Sequence, residues 1–143
     1  MTKRRKVKKA KAVMPYDGQY LLGAFQLGPQ SVDVVLMPNM SGGEFYFIPE
    51  EGRLPRIKIG LDYANWYEVV DVVVHEALEY LLTLNNHRFV PSGKFNADHA
   101  NYQFMFDHVQ LTTVCAQLGV FLANALPKIA EEFNKRLKSR SKG

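Results

Sequence analysis

His75, Glu76 and Glu79 fall within five residues of one another in the stretch 72–84, VVVHEALEYLLTL. On a helix, residues four apart lie on one face, one turn above the other. His75 and Glu79 can therefore aim a ring nitrogen and a carboxylate oxygen at one point, with Glu76 projecting beside them. The layout is that of the H-E-x-x-H metal-binding helix with glutamate in place of the second histidine. Zinc accepts both donor types. The plainer reading is a helix with one core histidine and two solvated glutamates.

The surrounding residues decide how much weight the chemistry carries. Asn65 with Glu68 three residues on has the spacing of a capping box, which predicts a helix over 66–84. Val69, Val70, Val72, Val73, Val74, Ala77, Leu78, Leu81 and Leu82 are too many for one narrow stripe, so this helix is expected to be largely buried. Charged groups there are costly unless paired or bound to a metal.

Ahead of the helix, 19–27 and 32–37 read as a hairpin across Gly28-Pro29-Gln30-Ser31, 44–48 (EFYFI) as an aromatic strand, and 56–59 (RIKI) as a short alternating strand. After it, Asn85-Asn86-His87 and Pro91-Ser92-Gly93 make a loop, and 96–106 is ambiguous. From Asp107, Val109, Leu111, Val114, Cys115, Leu118, Phe121, Leu122 and Ala125 recur at helical spacing. Pro127 is expected to break or kink that helix, and Cys115 to pack inertly on its apolar face. Strands first and helices after predict an α+β domain: a small, mostly antiparallel N-terminal sheet packed on the motif helix and on a second long C-terminal helix. The domain spans 13–138, between a basic tail at 1–12 and a frayed basic end at 139–143.

The chain of 143 residues carries a net charge of +4, but the charge is divided. Lys3, Arg4, Arg5, Lys6, Lys8, Lys9 and Lys11 crowd the first twelve residues without an acid, and five more cations follow residue 134. Between them, 13–134 holds six basic residues against all fourteen acidic ones. The N-terminal block suits weak, non-specific contact with nucleic acid or another polyanion, or serves as a solubilising tail. One cysteine excludes a disulfide framework and a cysteine zinc cage. No apolar run of membrane-spanning length and no signal-peptide core are read, which points to the cytoplasm.

A catalytic zinc takes three protein ligands and keeps one position open. His75 and Glu79 leave one donor to find. His87 follows the helix too closely to fold back, so His99 and His108 remain, with Asp107 as an alternative oxygen donor or an outer partner. His108 stands near the start of a rigid helix, which favours preorganisation.

The stretch IKIGLDYANWYEVVDVVVHEALEYLL resembles the strand–helix core of small zincin-type metallopeptidases of the minigluzincin kind, and FDHVQLTTVCAQLGVFLANAL resembles their later helix. It is similar to the H-E-x-x-E variant found in phage and mobile-element proteins. The resemblance covers roughly residues 56–126. It implies one zinc ion held by His75, Glu79 and His108, which restores two histidines and one glutamate in a changed order. It also implies Glu76 as the base that takes a proton from the attacking water and hands it to the leaving amine. An edge strand formed by 56–59 or 32–37 is expected to hold an extended peptide. The other reading is a non-catalytic protein of the same fold, with a structural metal or none, that binds nucleic acid or an acidic partner through the basic tail.

Overall fold

The computed structural model describes residues 18–47, 52–89 and 103–141. Eight elements follow in order: β1 (Tyr20–Leu27), β2 (Gln30–Met37), β3 (Gly43–Tyr46), β4 (Arg56–Gly60), α1 (Trp66–Leu84), β5 (Arg88–Phe89), β6 (Gln103–Phe104) and α2 (His108–Arg140). The fold is a small α+β arrangement: one four-stranded mixed sheet and two long helices.

Gly28 at φ +60° and Pro29 join β1 to β2 in a two-residue turn. A positive first central φ followed by proline's fixed negative φ is the type II′ combination, whose twist matches the strands it connects. β1 and β2 pair antiparallel, β2 and β4 parallel, and β4 and β3 antiparallel, giving the order β1-β2-β4-β3. β3 precedes β4 in the chain yet lies outside it. Tyr20, Leu36, Ile59 and Gly43 form one row across the sheet.

The core lies between one sheet face and the helices. Val32, Val34, Leu36, Ile57 and Ile59 meet Val69, Val73, Ala77, Leu81, Val114, Phe121, Ala125 and Ile129 there. Burying each valine, leucine, isoleucine or phenylalanine among them contributes about 1.5–3 kcal/mol. α1 begins at Asn65, whose backbone N–H donates to the Glu68 carboxylate at 3.0 Å. α2 begins at Asp107, whose carboxylate accepts from the Gln110 N–H at 2.8 Å while its own N–H donates to the Gln110 side chain at 2.7 Å. The start of α1 follows the predicted capping box, and the start of α2 has a second one that the sequence reading did not name.

α2 differs from expectation in three ways. It runs through Pro127 to Arg140 as one helix. Pro127 is exposed, so the carbonyl that loses its partner can turn to water. Cys115 is exposed, because the inward face is set by Val114, Phe121, Ala125, Ile129 and Phe133. Finally, α2 is long and apolar enough to cross a membrane by length and composition, with a mean hydropathy of 1.5 over its most apolar window, 17% of which is buried. Gln110, Thr112, Thr113, Gln117 and Asn124 interrupt the apolar residues without adding a charge, which is why no such run was read in the sequence.

The far end of α2 is tied to the β4–α1 connection. Arg136 donates to the Leu61 carbonyl at 2.9 Å and to the Asp62 carboxylate at 2.8 Å, and Arg140 joins it on Asp62. These two guanidinium groups hold the Asp62 carboxyl below its usual range. A carboxyl whose folded pKa is depressed stabilises the fold above its unfolded pKa of about 3.9 and loses that contribution as pH falls through the folded value. Asp62→Asn is expected to lower the melting temperature at pH 7 and to leave it unchanged near pH 2, as measured by thermal denaturation of both chains across that range.

Candidate functional site

α1 carries Glu68, Asp71, Glu76 and Glu79 and no lysine or arginine. The helix lies along β3 and runs the same way. Val72 and Glu76 meet Gly43, and one turn later Tyr80 takes Phe45 and Phe47 against its ring at centroid distances of 5.8 and 5.2 Å. The Tyr80 hydroxyl donates to the Gln30 side chain, and burial pushes it up to about 12.

The close approach at Gly43 is what encloses Glu76. A Cβ at position 43 would stand 2.6 Å from Glu76 Cγ and 2.8 Å from a Val72 methyl. Only a residue without a side chain lets the strand backbone lie this near the helix. Glu76 is left 8% exposed and makes no hydrogen bond or ion pair among the described residues. Burial pushes its carboxyl above the usual range; the neighbouring His75 pulls it down, and Glu79 and Glu44 push it up further. A carboxylate set this way is a better proton acceptor than one in water.

His75 Nε2 lies 3.4 Å from Glu79 Oε2. The histidine side chain is 68% exposed and the glutamate 15%. α1 is therefore buried on one side only, and His75 opens to solvent instead of sitting in the core. Two donors at zinc–ligand distances of about 2.0–2.1 Å, subtending a tetrahedral angle, are themselves about 3.4 Å apart. The spacing of the pair suits a shared metal ion as well as a direct contact.

The structure brings His75, Glu76 and Glu79 together. His108 is the first residue of α2, and its side chain is exposed. Asp107 is occupied in capping that helix. Neither is gathered with the α1 residues: among the described residues, no group of three or more His, Cys, Asp or Glu side chains is arranged to hold a metal ion. His87 is buried against the edge of the Phe106 ring, with centroids 6.2 Å apart. His99 and the basic residues Lys3, Arg4, Arg5, Lys6, Lys8, Lys9 and Lys11 lie outside the described residues.

The sheet edge beside the motif helix is β3. The sequence reading assigned that edge to 56–59 or 32–37, yet both segments are interior strands, β4 and β2. On the sheet face turned away from α1, Glu44 pairs with Lys58 at 2.9 Å, and Tyr46 lies under Arg56 and Lys58. Gly43 and Glu44 were missed as site residues. The available signal was the glycine pair Gly42-Gly43 at the head of an aromatic strand, where a missing side chain marks close backbone approach.

Gly43→Ala is expected to destabilise the protein by about 1–3 kcal/mol, the usual cost of overpacking. Gly119→Ala is the matched control: nothing lies within 4 Å of its added methyl, and helical alanine stabilises by roughly 0.4–1 kcal/mol. Denaturant titration should give the two variants opposite signs; a neutral Gly43→Ala would mean that β3 is not seated on Glu76. Compared with protein-family models, curated proteins and solved structures, the chain matches none, so the site rests on its own geometry.

Proposed function

We propose that the protein is a zinc-dependent peptidase of zincin-like architecture. One observation carries the reading: a buried carboxylate without a partner among the described residues, Glu76, stands beside the His75–Glu79 pair and under β3, the edge of the sheet among the described residues. In this reading His75 and Glu79 hold one zinc ion, with His108 as third ligand and His99 or Asp107 as the alternatives. Zinc bound there supplies Lewis-acid polarisation of a peptide carbonyl and makes a water more acidic.

The remaining steps belong to the chain. Glu76, kept basic by burial, takes the proton from the attacking water and delivers it to the leaving amine. β3 receives an extended peptide through the backbone groups of its outer side and aligns the scissile bond along α1. Gly43 holds the Glu76 carboxylate at the edge where that peptide lies. A cytoplasmic setting goes with this proposal.

The second reading is a non-catalytic protein of the same architecture. It is favoured by the lack, among the described residues, of a third donor gathered with His75 and Glu79. Elemental analysis of protein purified without added metal separates the two. The peptidase reading expects about one zinc per chain, lost in His108→Ala. Glu76→Gln should retain zinc while cleavage of a peptide library falls by at least 100-fold, the lower range for losing a general base. Zinc retained in His108→Ala would move the third ligand to His99 or Asp107. No zinc in any variant after zinc addition would favour the non-catalytic reading.

A further inference from the structure

α2 turns toward solvent a face that carries no charge. Between Asp107 and Lys128 the sequence holds no Asp, Glu, Lys or Arg. A helix face in water normally carries charged side chains. Here Val109 is 72% exposed and Val120 52%, and Thr113, Ala116, Ala123 and Pro127 are exposed with them. Val109 and Pro127 are 18 residues apart, which is five turns of helix, so they lie on one line along α2. Thr113, Ala116, Val120 and Ala123 fall within about 40° of that line. Single exposed apolar side chains are ordinary, whereas a continuous strip of them marks an interaction surface.

The strip ends in a groove. Trp66 of α1 and Leu122, Leu126, Pro127 and Ala130 of α2 line an open cavity of about 420 Å³. One end of the strip is thus a projecting valine, the middle is built of small residues, and the other end is a recess. Such a surface is complementary to itself under a twofold rotation. When two α2 helices lie antiparallel and centred on residue 118, Val109 of each stands level with Pro127 of the other, at the groove, and Ala116 stands level with Val120. Small and larger residues then alternate across the contact, as close helix packing requires. Charge favours the same direction. The neutral run is bounded by Asp107 at one end and Lys128 at the other, so antiparallel helices set acid ends beside basic ends, and parallel ones would set like ends together. From Val109 to Ala130 the strip is about 32 Å long, and half the girth of a helix about 12 Å across is roughly 19 Å, which gives about 600 Å² per chain. Two copies then bury about 1,200 Å², the lower bound of a specific, stable interface.

We infer that this face is the contact between two copies of the chain: an antiparallel, twofold pair of α2 helices, with Val109 of each copy seated in the Trp66 groove of the other. A contact of this size suits a dimer that comes apart on dilution. The inference uses neither the α1 motif nor a metal, so it and the peptidase reading can each fail alone.

Sedimentation velocity of the full chain over a range of about 1 to 200 μM, which brackets a micromolar dissociation constant, tests it. The expected result is a shift with concentration from 16.3 kDa to twice that mass. Val120→Glu places two carboxylates near the centre of the pair, and Val109→Glu places one at each groove. Each is expected to raise the dissociation constant at least ten-fold with the circular dichroism unchanged, and either suffices should the other fail to fold. Leu21→Glu, at a 43% exposed position on β1, is expected to leave the constant unchanged. The register is read by oxidising a mixture of Ala116→Cys and Val120→Cys chains, both in a Cys115→Ser background. The mixed disulfide should exceed either self-joined product at least five-fold, because like positions are displaced by about 6 Å along the pair. A monomer at every concentration, a dimer that survives the valine changes, or equal amounts of the three disulfides would overturn the inference. So would a monomer that binds vesicles of neutral phosphatidylcholine through these valines, the behaviour of a helix that meets lipid.

Discussion

The structure turns on one backbone contact. At Gly43 the edge strand rests directly on α1, with no side chain between strand and helix. That contact sets the height of β3 above the helix, removes Glu76 from water, and places Phe45 and Phe47 on Tyr80 one turn further along. Glu76, left in open water, would be an ordinary surface acid. Its proton affinity is raised mainly because this contact and the surrounding core desolvate it. The catalytic reading of α1 therefore depends on a glycine outside the motif.

The two sides of the sheet face are divided between the helices. α1 lies over β3 and β4, whereas α2 lies over β1, where Tyr20 donates to Glu132 at 3.0 Å. The row from Tyr20 to Gly43 thus starts beneath α2 and ends beneath α1. Arg136 and Arg140 fasten the end of α2 to Asp62, just before α1 starts. The charges that brace the helices lie at this end of the molecule, while the first half of α2, from His108 to Leu126, carries none.

Local signals in the sequence placed both long helices and the first hairpin. Asn65 with Glu68 marked the start of α1, the apolar periodicity from Asp107 marked α2, and Gly28-Pro29 turned β1 into β2. The strand order was harder to read, because the parallel pairing of β2 with β4 is set by packing between distant segments. A clue existed in VDVVLM: Val34, Val35, Leu36 and Met37 are all buried, and a continuous apolar run marks a strand covered on both faces rather than an edge. The donor pair His75–Glu79 was legible from helical spacing alone. The exposure of His75 was not, because the valine-rich run around it suggested burial on all sides.

The strand order also has a consequence for how the chain folds. β1 with β2, and β3 with β4, are two local hairpins; hairpins form in about 1–10 μs. The parallel pairing of β2 with β4 joins them, and it must bring together segments separated by the whole of β3. Neither hairpin alone buries Glu76, which needs α1 seated against Gly43 of the β3–β4 hairpin. The burial of this carboxylate therefore marks the docking of α1 on β3, a contact of greater sequence separation than the turns of either hairpin. Glu76 is thus a local reporter of whether helix and edge strand have come together.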